Sequence, residues 1–499
     1  MEFAKFGSLL WQNFAPTAYR RATFGVRTLA RLHEVVWTQL MYYDLNMITL
    51  TYLEFYAGIG GWGFAVERAL RNTHSHLQGT EEPHQQLHCQ LLEAYDHSDL
   101  CKSVFNHNHN SDNNCFRQTP IERLTQQQLE GHAAHIWCMS PPCQPHTRQH
   151  SNQRAEMDDP RSKSFLHLCD MISSMEESTL PCLVLLENVV GFETSGIGDN
   201  EEADHQNQQD ANRGSFQIWR EALRKRKYHV AHFHLDPLSI GLPNARPRHY
   251  TVALRPGSLH QSRSFATVST RLNSLNLGTT HYEKLFALEV LEKPPTIHDE
   301  NALGNAPHTL PCIGDFLDAD CKEIDCKLES LKIPEKIWSS SSAWCFDVVT
   351  PLHHRSACFT HSYGKFIRGT GSILYTGSLQ AEESSSSRKR DRTTAFLTLE
   401  RPEDRVFDAE WSSSIDWERD MRYLSGTEIA RLMGFPVSEP AVGMSAAGKD
   451  LNGESCRRFS FPDTVNVKQQ WKLLGNSLNV KVAATVAEIG IKCLLCSDK

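Results

Sequence analysis

The sequence predicts an α/β fold built on an open, mostly parallel sheet with helices on both faces. Residues 50–56 have the pattern of a strand, and short apolar runs at 134–139 and 182–186 have the length and composition of buried parallel strands. Segments with helical periodicity, such as 64–70 and 165–175, lie between these runs. This alternation of strand and helix is typical of a three-layer parallel sheet.

The composition narrows the class of protein. The chain has 499 residues, of which 40% are hydrophobic and 22% charged, and these values exclude a largely disordered or fibrous chain. No apolar run approaches about eighteen residues, so no membrane span is predicted. The net charge of −8 excludes a basic nucleic-acid coat, although a local basic face could still hold phosphates. Fifteen cysteines without a secretory signal indicate free thiols in a reducing compartment, either the cytoplasm or the nucleus.

Shifts in composition divide the chain into four regions. Residues 1–48 are rich in arginine and poor in acids. This composition fits a mitochondrial transit peptide, but a poorly ordered extension is the favoured interpretation. Residues 49–260 carry the strand–helix alternation of a catalytic domain. The alternation is lost over 261–410, which predicts a smaller irregular domain with a low-complexity insert at 382–394. Residues 411–499 are expected to return to the first domain.

A glycine-rich turn after the first strand is the first candidate site. Its sequence, FYAGIGGWG, occupies residues 55–63. Glycine lets the backbone approach a ligand closely, and the helix that follows offers free N–H groups. Gly58, Gly60 and Gly63 also fit the dinucleotide spacing, so NAD, another nucleotide cofactor and a purely structural turn all remain open here. Asp96 ends the second predicted strand, where a carboxylate can accept hydrogen bonds from ribose hydroxyls.

A proline-rich segment with one cysteine is the second candidate site. The sequence SPPCQP, residues 140–145, follows the buried strand at 134–139. Three prolines restrict the loop and fix the direction of Cys143. Lone cysteines are more often buried and inert, but this proline-rich surround favours a nucleophile.

Polar residues lie at three further predicted ends of strands or helices. Glu187 follows an apolar strand, where burial would raise the pKa of its carboxyl and suit it to proton donation. Arg246 and Arg248 alternate before the next strand, so both are expected on one face, gripping an anion or the Glu187 carboxylate. Asn476 either caps a turn before an apolar helix or contacts a cofactor. A helix-capping Glu and a solvated basic edge are the structural alternatives.

Taken together, these segments resemble the cytosine-C5 methyltransferases, and they occur in the order that this family keeps. The segment Cys358–Gly364, continued by Gly369–Ser372, is similar to the Cys-Phe-Thr signature of the type-2 branch. Members of that branch methylate a cytosine in the anticodon loop of aspartate tRNA. The resemblance covers about 49–256 and 345–490. It implies a Rossmann-like S-adenosylmethionine-dependent methyltransferase fold, with 261–410 as the target-recognition region.

The resemblance also implies a role for each candidate residue. Cys143 would add to carbon 6 of cytosine, and Glu187 would hydrogen-bond or protonate the ring at N3. Arg246 and Arg248 would steady the adduct and the Glu187 carboxylate. The implied methyl donor is S-adenosylmethionine, and its contacts would come from Ile59, Gly60, Gly61, Asp96, Ile121, Glu122, Ser140 and Asn476.

The chain departs from the type-2 branch beside the nucleophile and in two inserts. His146 stands where that branch usually has Phe. This difference can affect how the substrate fits, but it removes no chemical group that the reaction needs. The inserts lie at 195–214 and 382–394. The expected partner is tRNA, with no membrane. Duplex DNA, a catalytically silent nucleic-acid-binding protein and, from the glycine spacing alone, an NAD-dependent oxidoreductase are the alternatives.

No metal site is expected from the cysteines. Cys312, Cys321 and Cys326 are too loosely spaced for a standard zinc site. The Cys493-x-x-Cys496 pair lacks a second pair of ligands.

Overall fold

The structure is a computed structural model. It describes residues 47–77, 86–109, 114–142, 160–194, 214–255, 311–318, 329–377, 416–437 and 457–495. The chain divides into two compact units. The first consists of Met1–Thr49 and His76–His88, of which the described residues are three short pieces at the ends of secondary-structure elements. The second, Leu50–Ser75 and Cys89–Lys499, contains the site described below.

The described residues form ten strands and ten α-helices. The strands are β1 Met47–Phe55, β2 Gln86–Tyr95, β3 Phe116–Arg117, β4 Ile136–Met139, β5 Leu183–Val189, β6 His229–Leu235, β7 Arg248–Leu254, β8 Asp347–Val349, β9 Ser372–Tyr375 and β10 Met421–Tyr423. The helices are α1 Gly61–Leu77, α2 Asp99–His109, α3 Gln126–His132, α4 Pro160–Ser174, α5 Ser215–Lys225, α6 Glu335–Trp338, α7 Trp417–Asp420, α8 Gly426–Leu432, α9 Val467–Asn476 and α10 Val480–Leu495. Among the helices described, none is both long and apolar enough to cross a membrane.

The main sheet has seven strands in the order β3-β2-β1-β4-β5-β7-β6. β1, β4 and β5 are parallel neighbours, and β7 runs antiparallel to both β5 and β6. Phe55, Met139 and Leu186 lie side by side in this register. The carboxyl ends of the three central strands therefore meet at one edge, where open α/β sheets bind their ligands. The predicted mostly parallel α/β fold is confirmed.

Helices cover both faces of this sheet. On one face, Phe55, Trp137 and Leu186 belong to a buried cluster with Ile172 of α4 and Trp219 of α5. On the other face, α10 packs on β5 and β7. A Cβ added to Gly490 of α10 would lie 2.8 Å from Leu183 Cδ1, so glycine allows the helix to approach the sheet closely. Burial of each large apolar side chain contributes about 1.5–3 kcal/mol to folding.

A second, smaller sheet has three strands in the order β10-β9-β8. β8 and β9 are parallel and come from the region predicted to be irregular, 261–410, while β10 belongs to 411–499 and pairs antiparallel with β9. The four domain boundaries stay predictions. Residues 1–46 of the predicted extension 1–48, residues 195–213 of the predicted insert 195–214 and the whole low-complexity tract lie outside the described residues.

Candidate active site

A cavity of about 2020 Å³ opens where the carboxyl ends of β1, β4 and β5 meet. Most residues expected to form the site lie in its wall: Ile59, Gly61, Asp96, Ile121, Glu122, Ser140, Glu187, Arg246, Arg248 and Asn476. Gly60 is absent from the lining, and Cys143 lies outside the described residues.

The glycine-rich turn connects β1 to α1 at the floor of the cavity. Its backbone is held by hydrogen bonds from Ala57 N to Tyr95 O (3.0 Å) and from Gly60 N to Ala57 O (2.8 Å). Gly60 has φ +84°, and a Cβ added there would lie 2.1 Å from His109 Nε2. Gly60 is therefore needed for close packing against α2, while Gly58, with φ +54°, lies in the cavity wall.

Asp96 follows β2 directly and faces the turn. Its carboxylate accepts hydrogen bonds from Gly58 N (3.0 Å, Oδ2) and from Ser98 N (2.9 Å, Oδ1). Two backbone donors thus fix the carboxylate at the carboxyl end of the strand. From this position a carboxylate can accept hydrogen bonds from the hydroxyls of a ribose.

Glu54 is a site residue that the sequence analysis missed. It lies near the end of β1, is 1% exposed, and accepts a hydrogen bond from Trp62 N (3.1 Å). Burial raises the pKa of its carboxyl to about 8, against the lowering effects of the Trp62 N–H and of Arg457. Its Oε2 has no hydrogen-bond partner among the described residues. An acid between Leu53 and Phe55 in an apolar strand was the available signal.

The indole of Trp62 connects the turn to the start of the cysteine segment. Trp62 Nε1 donates to Ser140 Oγ over 2.8 Å, and Ser140 N donates to Phe55 O over 3.3 Å. Ser140, Pro141 and Pro142 line the cavity. The described part of the segment therefore brings the chain into the cavity immediately before Cys143; Cys143 and His146 themselves lie outside the described residues.

Glu187, which is buried, and Arg248, which is partly buried, form an ion pair in the same cavity. Arg248 Nε lies 3.3 Å from Glu187 Oε1, across the antiparallel pairing of β5 and β7. Burial raises the pKa of the Glu187 carboxyl, while Arg248 and, to a smaller extent, Arg246 oppose that rise. The arrangement presents a carboxyl group that can keep a proton at higher pH than an exposed glutamate can.

Arg246 has a different set of partners. Its guanidinium donates to the carbonyl oxygens of Phe359 (2.9 Å), Gly475 (3.1 Å) and Ser477. It is 4% exposed. Of the two arginines expected on one face, Arg248 contacts Glu187, and Arg246 instead holds the segment around Phe359 against the end of α9.

The end of α9 packs tightly against that same segment. A Cβ added to Gly475 would lie 2.1 Å from the carbonyl carbon of Thr360. Asn476 is exposed at the end of the helix and lies in the cavity wall. The cap of α10 is provided by Asn479, whose Oδ1 accepts from Val482 N over 3.1 Å.

The wall suits a ligand with a nucleoside part. Ile59 and Ile121 supply apolar surface, and Asp96 supplies an oriented acceptor. Ligand sites of this kind combine mostly apolar walls with a few placed polar groups. We conclude that these residues could hold an adenosyl group beside the Glu187–Arg248 pair.

Comparison with known proteins identifies similar chains. The model of the family "C-5 cytosine-specific DNA methylase" matches residues 50–492. A tRNA (cytosine(38)-C(5))-methyltransferase of Homo sapiens is 27% identical over 483 residues, with 89% of this chain and 99% of the relative covered. A DNA (cytosine-5)-methyltransferase of Dictyostelium discoideum is also 27% identical, over 448 residues, with 89% and 94% covered.

Solved structures are similar in fold. The crystal structure of the S. pombe Dnmt2 methyltransferase has a TM-score of 0.53 and 22% identity, and the match covers 90% of this chain and 100% of that one. The structure of a Spodoptera frugiperda DNMT2 mutant gives 0.54 and 23%, covering 90% and 100%.

Proposed function

The chain belongs to the C-5 cytosine-specific DNA methylase family, and we propose that it methylates carbon 5 of a cytosine in a tRNA anticodon loop. The resemblance to the type-2 branch indicates aspartate tRNA as the substrate. Enzymes of this family use S-adenosylmethionine as the methyl donor. The observation that carries the proposal is the ion pair of buried Glu187 with Arg248, which shares one cavity with the glycine-rich turn and Asp96.

S-adenosylmethionine, when bound, supplies an electrophilic methyl group. The residues that would hold it are those of the cavity wall: Ile59, Gly61, Asp96, Ile121, Glu122, Ser140 and Asn476. Asp96 would accept hydrogen bonds from the ribose hydroxyls, since Gly58 N and Ser98 N already orient its carboxylate. Gly60 supports this surface from behind through its packing on His109.

Carbon 5 of cytosine is a weak nucleophile, and the residues of this chain would raise its reactivity. The Cys143 thiolate would form a bond to carbon 6, and the electron pair of the ring double bond would move toward carbon 5. Glu187 would donate a proton or hydrogen bond at N3, which stabilises this electron-rich ring. After methyl transfer, loss of the carbon 5 proton to water would re-form the double bond and expel the Cys143 thiolate, and a proton given to N3 would return to Glu187.

The rim of the cavity supports a nucleic-acid substrate. Four exposed cationic side chains line it: Lys336, Lys365, Arg368 and Lys472. Phe366, 65% exposed, lies beside two of them. Cations that can meet phosphates and an aromatic ring that can stack on a base are typical of single-stranded nucleic-acid sites.

An RNA loop suits this pocket better than an intact duplex does. The target base must leave its stack to reach a buried carboxyl, and this costs least for a nucleotide that is already unpaired. The Cys-Phe-Thr segment, which Arg246 holds in place, also favours tRNA. DNA is the second candidate substrate, because the relative from Dictyostelium discoideum, named as a DNA methyltransferase, is as similar as the human tRNA methyltransferase. Free thiols such as those of Cys89 on β2 and Cys138 on β4 support a protein of the cytoplasm or nucleus.

Transfer of labelled methyl groups tests the proposal. The purified full-length protein is incubated with methyl-labelled S-adenosylmethionine and either tRNA or duplex DNA. Label is expected in tRNA at carbon 5 of cytosine; label in DNA alone would reject tRNA as substrate. Cys143→Ala should abolish transfer, whereas Cys89→Ala, a thiol on β2 away from the cavity, should retain it. Undiminished transfer by the Cys143 variant would refute the nucleophile assignment.

A further inference from the structure

We propose that Glu193, His234 and His249 form a binding site for a divalent transition-metal ion, zinc above all. None of the three lines the cavity described above. Glu193 lies in the 3₁₀ turn Phe192–Thr194 that follows β5. His234 of β6 and His249 of β7 are directly paired across the antiparallel strands.

The three side chains converge on one point. His234 Nε2 lies 2.8 Å from Glu193 Oε1, and His249 Nδ1 lies 3.2 Å from Glu193 Oε2. One ligand atom from each residue lies within 4.8 Å of the others. Around a tetrahedral zinc ion, with bonds of about 2.0–2.2 Å, ligand atoms are about 3.3–3.5 Å apart. The three groups therefore need only small movements to coordinate one ion.

The second observation is an unsatisfied nitrogen inside the cluster. His249 is 1% exposed, and its Nδ1 makes no hydrogen bond with any described residue, although Glu193 is near. Its Nε2 lies 3.3 Å from the hydroxyl of Thr251, which is fully buried. Histidines that bind metals usually donate their other ring N–H to a carboxylate, a backbone carbonyl or water. Here the acceptor would be the Thr251 hydroxyl, which also lies 3.0 Å from His232 Nδ1, and the Nδ1 lone pair of His249 would then be available to the ion.

The position of the carboxylate also suits a metal ion. The Glu193 carboxylate is held in place by Gly191 N, which donates to its Oε2 over 3.1 Å.

The chemistry of the ligands selects the class of metal. Two imidazole nitrogens and one carboxylate suit zinc and its first-row neighbours, whereas calcium and magnesium prefer oxygen ligands alone. The side chain of His234 is 51% exposed, so a fourth position faces solvent and can take a water molecule. A bound ion would join the 3₁₀ turn after β5 to β6 and β7, and it would brace the strand that begins with Arg248.

Metal binding by the full-length protein tests this proposal independently of methyl transfer. The protein is freed of metal with a chelator and dialysed against Zn²⁺, and the bound metal per chain is measured. His234→Gln is the main variant, because this half-exposed side chain can be changed without disturbing the core. It should bind one equivalent fewer than the parent protein. His229→Gln, on the same strand but outside the cluster, is the matched control and should bind as the parent does.

Cobalt distinguishes this site from binding by cysteines. The Co²⁺ spectrum that His234→Gln loses should lack thiolate charge-transfer bands, because the site has only nitrogen and oxygen ligands. Thr251→Val should weaken binding at the site by about 10–100-fold, as loss of a supporting hydrogen bond typically does. Equal stoichiometry and affinity for the parent, His234→Gln and Glu193→Gln would overturn the proposal. So would a lost spectrum of thiolate type.

Discussion

Glu54→Gln is expected to flatten the pH dependence of stability. The Glu54 carboxyl is 1% exposed, and burial raises its pKa from 4.5 to about 8. Because the folded protein binds this proton more tightly than the unfolded chain does, the proton stabilises the fold. That contribution is fully present below pH 4.5 and is lost as the pH rises to about 8. Glutamine keeps the shape of the side chain and does not titrate.

The magnitude follows from the interval between the two pKa values. Each pH unit inside it costs the parent protein about 1.4 kcal/mol of unfolding free energy. Because the slope is smaller near each pKa, Glu54→Gln should gain about 3.5 kcal/mol relative to the parent between pH 5 and pH 8. Titration of other groups is common to both proteins and cancels in the difference.

Urea unfolding followed by tryptophan fluorescence, at pH values from 5 to 8, measures this difference. Glu67→Gln is the matched control: Glu67 lies on α1 with 36% of its side chain exposed, and it pairs with Arg71 and Arg457. Loss of such surface pairs changes stability by about 1 kcal/mol or less. If the free energies of unfolding of Glu54→Gln and the parent change by the same amount with pH over the whole range, burial does not raise the pKa of Glu54.

Two further variants test other parts of the site. Arg248→Met removes the guanidinium 3.3 Å from Glu187 Oε1. We expect kcat to fall by about 10–100-fold and the basic limb of the pH–rate profile to move to higher pH, because loss of the positive charge raises the Glu187 pKa further; an unmoved limb in the methyl-transfer assay would contradict this. Gly475→Ala would place a Cβ 2.1 Å from the Thr360 carbonyl carbon and should lower the free energy of unfolding by about 2–3 kcal/mol. Gly131→Ala, where nothing lies within 4 Å of the added Cβ, is its control, and equal urea midpoints for the two would count against the packing argument.

The sequence was most informative where apolar runs ended in polar residues. The positions of β1, β4 and β5 followed from such runs, and with them the common edge at which the cavity opens. Glu187 was expected just after its strand, but β5 continues to Val189 because its pairing with β7 extends to Val189 opposite Arg248. Local pattern predicts that a strand exists better than it predicts where pairing stops.

Other features depended on information that no local pattern contains. Strand alternation predicts that Arg246 and Arg248 lie on one face, yet β7 begins at Arg248, so the alternation does not extend back to Arg246. His234 and His249 are fifteen positions apart and meet only through the register of an antiparallel pair.

The partners of Arg246 determine at which point of its synthesis the protein can complete its fold. Its guanidinium donates hydrogen bonds to the carbonyl oxygens of residues 359, 475 and 477. A nascent chain that has been synthesised only as far as β7 therefore still lacks the segments that surround this arginine. α10, which packs on β5 and β7, is translated later still. A ribosome-bound chain that ends before residue 475 lacks the helix that covers β5 and β7, and it should therefore expose apolar sheet surface.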